Sequence, residues 1–460
     1  MLFAALALSV LAMAPDIVIT NTNVVDVLSG QVRRDQDVVI HDKKITYIGN
    51  LGLLHASSVP DIVDGKGKYL IPGLWDMHVH WYNEPTLGLF TANGVIGARI
   101  MFGQEKHKDW KKRIEAGSLI GPHMIVGSPI IDGPHPQWPG SWPVGKPGEG
   151  KAAIDRVKGE GWEFAKVYTW LSRKAYFEIA DEAKKMGVEF EGHQPWGITP
   201  IEASNAGQRT IEHLGDYTWS MSANADAMIK TLNECPDADF PTMYLTTQRD
   251  ALKTYDPKKA ARINRVFVKN GTWQCPTLIT LTNISTLSDP LHQQDPRLKY
   301  VPESFASEWR SGVDGRFNII KPEGFDAAKE VVQGCKRIVG DMNREGVGIL
   351  AGTDCGNPFC YPGFSLHEEM AIFVECGMTP LEALRTATIN SARYMKQESQ
   401  RGTVEVGKLA DLALLDANPL TDIKNTTRVR AVVQGGRLFR RSDLDNLLLI
   451  AEESCRAKKG

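Results

Sequence analysis

At 460 residues, 42% hydrophobic and 23% charged, the chain has the composition of a folded globular protein and the length for a large core or about two to three domains. Lys and Arg number 53 against 55 Asp and Glu, so there is no basic excess of the kind that holds a phosphate backbone, which argues against a nucleic-acid partner. Beyond the first residues no apolar run reaches the length of a membrane-spanning helix.

The opening stretch MLFAALALSVLAMAPD is apolar from Leu2 to Ala14, with small residues around Ala12, and predicts a signal peptide at 1–14 and export to a periplasm or medium. The lack of Lys or Arg before this run, and Pro15 after it, speak for the alternative of a cytoplasmic chain with a buried N-terminal segment. Residues 15–72 read as short strands: DIVITNTNVVDV, a turn at LSGQ, then DVVIHDKKITYIG, with β-branched residues alternating with polar ones.

From 73 to 398 strand-like and helical runs alternate, the texture of βα units around a parallel sheet. Eight runs qualify as strands: YLIPGLWDMHVH, GVIGARIMFG, HMIVGSPII, EFAKVYTW, VEFEGHQP, RTIEHLG, TWQCPTLIT and GVGILAGTD. Among the helices, SRKAYFEIADEAKKMG is amphipathic, and TPIEASNAG opens on Thr199 as cap and Pro200 in the first turn. After the eighth run come a helix carrying Leu366, Glu368, Glu369 and Glu375, then TPLEALRTATINSARYM, where Thr379 and Glu382 form a capping box. Residues 399–440 return to the β texture of the N-terminus in GTVEVGKLADLALLDANP and VRAVVQGGRLFRR, and 441–460 reads as a closing helix. The predicted fold class is α/β: a (β/α)8 TIM barrel at 73–398 with a small composite β-sandwich domain built from both ends. An open doubly wound sheet, the alternative, places a Gly-rich turn after its first strand, which Gly73-Leu-Trp-Asp-Met-His is not.

The residues that carry chemistry fall at the ends of these strands. His78 and His80 stand two apart, so both side chains leave one face. Lys166 closes the fourth run, His193 the fifth, His213 the sixth and Asp354 the eighth. In a barrel all six share the carboxyl-terminal rim, where active sites are built. Four imidazoles and a carboxylate exceed the needs of one tetrahedral zinc ion, which points to two neighbouring divalent metals, with zinc favoured by the His-rich set. A bridge between them is then required. A buried lysine has a depressed pKa, and its neutral amine reacts with carbon dioxide to give a carbamate with two oxygens, one per metal.

The motifs GLWDMHVH, AKVY, EGHQP, IEHLG, AGTD and the closing TPLEALRTATINSARYM with GTVEVGKLADLALLDANPL resemble the amidohydrolase superfamily along nearly the whole chain, nearest to its imidazolonepropionase and prolidase-like branch. The resemblance implies that His78, His80 and Asp354 hold one metal, that His193 and His213 hold the other, and that Lys166 is the bridging carbamate. A hydroxide shared by two metals would then attack the carbonyl of an amide, N-acyl, urea or dipeptide bond, with Asp354 as the catalytic proton carrier. Related dipeptidases carry a Tyr near the fifth-strand His, whereas Gln194, Pro195 and Trp196 follow His193 here. Aromatic residues crowd the strand ends instead, and Trp81, Tyr168, Trp170, Trp196 and Trp219 are the candidate substrate-pocket residues for an apolar or aromatic small molecule. A Xaa-Pro-type dipeptidase is the alternative, and an inactive barrel scaffold, or an isomerase or decarboxylase using the same metals, are readings from other classes.

GKPGEGK at 145–151 has phosphate-loop spacing, but Ala152 stands where a magnesium-binding hydroxyl is needed. The KHKDWKKR run at 106–113 reads as a solvated helix face. The seven Cys contain no C-x-x-C pair, so neither a disulfide scaffold nor a structural zinc knot is indicated, and Cys355 and Cys360 are either a bridge or buried thiols. Nothing in the sequence decides between a monomer and a homo-oligomer.

Overall fold

A computed structural model of the chain describes residues 16–50, 61–215, 217–233, 240–310 and 320–456, so the apolar run at 1–14 lies outside the described residues. The N-terminal part supplies strands β1 (Ile17–Val25), β2 (Val32–His41), β3 (Lys44–Gly49), β4 (Asp61–Asp64) and β5 (Tyr69–Pro72). The turn between β2 and β3 uses Asp42 and Lys43 at φ 47° and 64°, the left-handed pair of a tight hairpin. The central part supplies β6 (Leu74–Val79), β7 (Val95–Ile100), β8 (His123–Val126), β9 (Ile130–Asp132), β10 (Trp142–Pro143), β11 (Ala165–Val167), β12 (Phe190–Gly192), β13 (Thr210–Glu212) and β14 (Trp273–Cys275). The C-terminal part adds β15 (Leu412–Leu415), β16 (Val429–Gln434) and β17 (Arg437–Arg440), and the chain continues into the helix Arg441–Arg456.

Strands from both ends of the chain share one sheet, in the order β17-β16-β15-β5-β1-β2-β3 with β4 on β1, and β5 pairs antiparallel with β15. The two-residue period of a strand divides this sheet's side chains between two cores. Leu70, Leu412, Leu414, Ala431 and Val433 fill the sheet's own core, while their neighbours Ile71, Ala413, Leu415 and Val432 pack into the large central cluster. The sheet is thus apolar on both faces where it meets the central strands, and the runs LALL and AVV show no polar alternation for that reason.

The central strands are parallel and form two arcs, β6-β7-β8 and β10-β9-β11-β12-β13-β14. Single hydrogen bonds join the arcs. On one side Ser128 N donates to Phe164 O at 2.9 Å and Glu163 N to Val126 O at 3.1 Å. On the other side the segment 346–354, expected as the eighth strand, forms no strand, and the arcs do not close into one continuous barrel. It nevertheless lies between β14 and β6: Leu350 N donates to Gln274 O and Met77 N to Ala351 O, both at 2.9 Å, and Asp354 N to His78 O at 2.8 Å. Its glycines permit this fit. A Cβ at Gly348 would enter the Trp273 ring, and one at Gly352 would meet Cys275 and His78.

The third expected strand is two, β8 and β9, because Gly127 and Ser128 turn away to bond Ile100 O and Phe164 O. The expected helix over TPLEALRTATINSARYM is also two, Pro380–Thr386 and Ile389–Tyr394, broken where Thr388 takes φ −127°, ψ −96°. Capping boxes are present at Thr199 with Glu202 and at Thr379 with Glu382. Helices Ala225–Asn233, Phe240–Lys253 and Pro257–Asn270 fill the connection from β13 to β14, and Pro322–Arg344 precedes the eighth segment. Among the described residues no helix is long and apolar enough to cross a membrane.

Candidate metal centre

The six strand-end residues arrive from different elements. His78 lies within β6 and His80 just past it, Lys166 lies within β11, and His193 and His213 directly follow β12 and β13. Asp354 ends the glycine-rich eighth segment with φ 56°, and His213 has φ 58°. Left-handed backbone at non-glycine residues is costly and concentrates at functional sites.

His78 Nε2 lies 3.0 Å from His80 Nε2 and 3.3 Å from Asp354 Oδ1, and His80 Nε2 is 3.2 Å from the same oxygen. Donors at the usual zinc bond lengths on a tetrahedral ion are about 3.3–3.4 Å apart, so this triangle has the size of one face of such an ion's coordination shell. The His213 ring stands 4.8 Å from that of His78 and 4.6 Å from that of His193, and its Nδ1 is 4.0 Å from Asp354 Oδ2. Lys166 is fully buried, and its Nζ has no hydrogen-bond partner, nor has the buried Nδ1 of His193.

Protonation follows from the neighbours. His78 Nδ1 donates to Glu212 Oε2 at 2.7 Å, which leaves Nε2 as a lone pair turned toward His80 and Asp354. Thr277 gives its hydroxyl proton to Pro276 O, so His213 Nδ1 is the donor in its 2.5 Å bond to Thr277 Oγ1, and its Nε2 is likewise free to ligate. Burial holds the imidazoles of His78, His193 and His213 neutral, the form that binds metal. Burial also pushes the Lys166 amine down to about 8, against the pull of Glu212 and Asp354. At Asp354 burial favours the neutral acid, but attraction to His78 and His213 in their protonated forms, with a hydrogen bond to His80, outweighs it and holds the carboxyl well below its ordinary range.

A second layer supports these groups, and its members were not singled out from the sequence. Arg99, fully buried, donates from Nη1 to Glu191 at 2.5 Å, from Nη2 to Glu212 at 2.9 Å and from Nε to Met77 O at 2.6 Å. Glu212 therefore links the guanidinium to His78. Asp76, pushed up to about 7 by burial, accepts from Thr353 N at 3.0 Å and Thr353 Oγ1 at 2.6 Å, tying β6 to the segment that carries Asp354. The available signal was charge within otherwise apolar strands, as in GARIM, FEGH and TIEH.

The aromatic residues divide into two groups. Tyr168 packs its ring 4.1 Å from that of His193, and its hydroxyl accepts from Trp138 Nε1 at 2.9 Å. Trp170, 43% exposed, and Trp196 both contact Phe240, and Trp196 meets Trp219, which touches Tyr244. Trp81 belongs elsewhere: it is buried, stacked on Phe305 and bonded through Nε1 to Thr86. Cys355 and Cys360 are buried free thiols.

A profile described as "Amidohydrolase family" matches residues 108–439. Ochratoxinase of Aspergillus niger is 24% identical over 453 residues, covering 89% of this chain and 84% of that protein. Among solved structures, a bottromycin amidohydrolase superposes with a TM-score of 0.74 at 22% identity, covering 95% of this chain and 90% of the other. A Xaa-Pro dipeptidase superposes with a TM-score of 0.66 at 20% identity, covering 92% and 99%. The structural likenesses establish a shared α/β fold, and the profile spans well over half of the sequence. The chain belongs to the amidohydrolase family, enzymes that act on carbon–nitrogen bonds.

Proposed function

We propose that the chain hydrolyses an amide-type C–N bond in a small molecule with an apolar or aromatic body, using two divalent cations. His78, His80 and Asp354 would hold one cation, His193 and His213 the other, and Lys166 would bridge them as a carbamate. The observation that carries this reading is the Lys166 amine, fully buried and without a hydrogen-bond partner among neutral imidazoles and a carboxylate. Such an amine is part-neutral near pH 8, and its neutral form adds carbon dioxide with loss of one proton to become an anionic two-oxygen donor, two protons being released overall from the ammonium form. Bound cations of this kind polarise a carbonyl and lower the pKa of a water molecule.

The chain's own residues then have distinct tasks. Glu212 fixes the His78 tautomer, and Thr277 fixes that of His213. Asp354 stays ionised beside three imidazoles and can take a proton from the attacking water and deliver it to the leaving nitrogen. Tyr168, Trp170 and Trp196, with Phe240, offer an aromatic wall on the His193 side for the substrate body, and Trp219, fully buried, packs behind Trp196. The match to ochratoxinase over 89% of this chain supports an amide as the bond cleaved.

The test is an activity screen of protein loaded with zinc or manganese in bicarbonate buffer, against N-acyl amino acids, arylamides, ureas and Xaa-Pro dipeptides. Release of amine from the first two classes is expected, and turnover restricted to dipeptides would refute the substrate assignment. Lys166→Met should lower kcat/KM by at least about 100-fold and reduce bound metal, with thermal stability unchanged or raised because an unpaired buried amine has gone. Asp354→Asn should abolish turnover while part of the metal stays bound.

A further inference from the structure

A cavity with a volume of about 490 Å³, in the range of small-molecule sites, lies at the end of the central strands opposite the imidazoles. Its walls come from the turn after helix Glu105–Glu115, from His123 at the start of β8, from Asp411 just before β15, and from the turn between β16 and β17. This places it where the terminal sheet meets the amino ends of the central strands, remote from the candidate metal ligands at the carboxyl ends.

Its polar side is built around Arg401. That side chain is only 14% exposed and stacks over Trp75 at 5.3 Å, yet its Nε and Nη1 atoms are buried without any hydrogen-bond partner. Its one charged partner is Asp411, whose Oδ2 forms a long ion pair of 3.6 Å with Nη1 and which also accepts from Gly435 N at 3.0 Å and lies 3.4 Å from His123. Buried guanidinium nitrogens in folded proteins nearly always have acceptors. Arg437 and Lys43 add two exposed cations to the rim, and no ion pair to either is present among the described residues. Against them stand Asp411 and the exposed Glu115, so the cavity retains a small positive excess suited to a single negative charge. The remaining wall is apolar: Leu119, Ile120, Leu409 and Phe439. Gln434 is satisfied by Gly121 O, Ile96 O and Thr91, and serves as wall alone.

We propose that this cavity is a binding site for a small organic monocarboxylate, its carboxylate accepting from Arg401 and its apolar body lying against Leu119, Ile120, Leu409 and Phe439. The guanidinium supplies the charge-assisted hydrogen bonds and the apolar wall supplies the remaining affinity. Acetate lacks the body, and inorganic phosphate lacks the body and carries more charge than the rim balances.

The test is calorimetric titration of the full-length, metal-loaded protein with octanoate, with acetate and inorganic phosphate as comparison probes. Octanoate should bind one site at least tenfold more tightly than either comparison anion. Arg401→Gln should weaken it at least tenfold, Arg437→Gln about threefold, and Ile120→Trp, which fills the cavity, should remove binding. Arg437→Gln should leave hydrolytic activity unchanged, and should any Arg401 variant fail to fold, Arg437→Gln and Ile120→Trp decide the matter. Absence of octanoate binding, equal binding of acetate or phosphate, or octanoate affinity untouched by Arg437→Gln and Ile120→Trp would each overturn the proposal, the last because it locates the ligand at the metal ligands instead.

Discussion

Beneath the strand-end imidazoles Arg99 engages Glu191, Glu212, Thr210, Tyr394 and the Met77 carbonyl, whereas Arg401, at the other end of the same strands, leaves two buried nitrogens without a hydrogen bond. Both are guanidinium groups taken out of water. Their neighbours separate them: two carboxylates at Arg99 overcome the effect of burial and raise its pKa, while at Arg401 burial outweighs Asp411 and lowers it. A fully paired buried charge is part of the scaffold, and removing it strands its partners. A buried charge held by one long ion pair, as Arg401 is by Asp411 at 3.6 Å, has donors left for a ligand. By the same criterion Lys166 resembles Arg401 more than Arg99, although it sits at the upper end.

This contrast can be broken most directly at Arg99. Arg99→Met leaves the buried carboxylates of Glu191 and Glu212 without their counter-charge, Glu212 keeping only His78 and Thr210 as donors, and should cost about 3–5 kcal/mol in a urea or guanidinium melt. Arg401→Met should cost far less, since it strands only one carboxylate that keeps His123 and Gly435. Equal losses at the two positions would erase the distinction.

A smaller effect is expected from Thr353→Val, which keeps the shape but removes the hydroxyl that donates to Asp76 and accepts from Cys355 N. A loss of about 1–3 kcal/mol is expected, because Asp76 stays buried with one donor fewer. Hydrogen exchange at Asp354 and Cys355 should accelerate with it, and an unchanged melt would show that the eighth segment is held by its backbone bonds alone.

A further effect appears only in acid. His107 and His367 are buried and held at about 4, below their ordinary 6.5, so both are neutral in the folded chain. The unfolded chain takes up their protons first, so the stability they contribute is complete above 6.5 and is lost as pH falls through 4. Each should contribute a slope of up to about 1.4 kcal/mol per pH unit inside that window. His107→Gln should lower stability at pH 7.5 yet flatten the acid limb, and an unaltered slope would remove the histidine from the account.

What could be read from the sequence was local. The first period-2 run became β1 and the second, split by an unforeseen hairpin at Asp42 and Lys43, the end of β2 and β3; Thr199 and Thr379 cap the helices they were expected to cap, and the amphipathic run after Ser172 is the helix Arg173–Met186. The spacing of His78 and His80 on a strand end was legible for the same reason, since alternation alone puts both on one face. What was hidden depends on distant partners. Arg99 is separated from Glu191 by 92 positions and from Glu212 by 113, and no local pattern announces that pairing. The eighth segment misled because its apolar run resembles a strand, while its glycines serve to thread it between Trp273 and His78. The helices between β13 and β14 were not read from the sequence, although Pro257–Asn270 carries a stripe at Ala260, Ile263 and Phe267 with helical spacing.

The pairing of β5 with β15 has a consequence for how the protein is made. Synthesis at about 5–20 residues per second leaves the free edge of β5 waiting roughly 20–70 s for its neighbour, because about 340 residues separate Pro72 from Leu412. During that interval the emerging chain carries Leu70 and Ile71 on an incomplete sheet, and a ribosome that stalls late would release a polypeptide whose first domain has no last strands. Truncation near residue 400 should therefore yield aggregation rather than a shortened enzyme, and completing β15 in trans with a peptide covering 409–440 should relieve it.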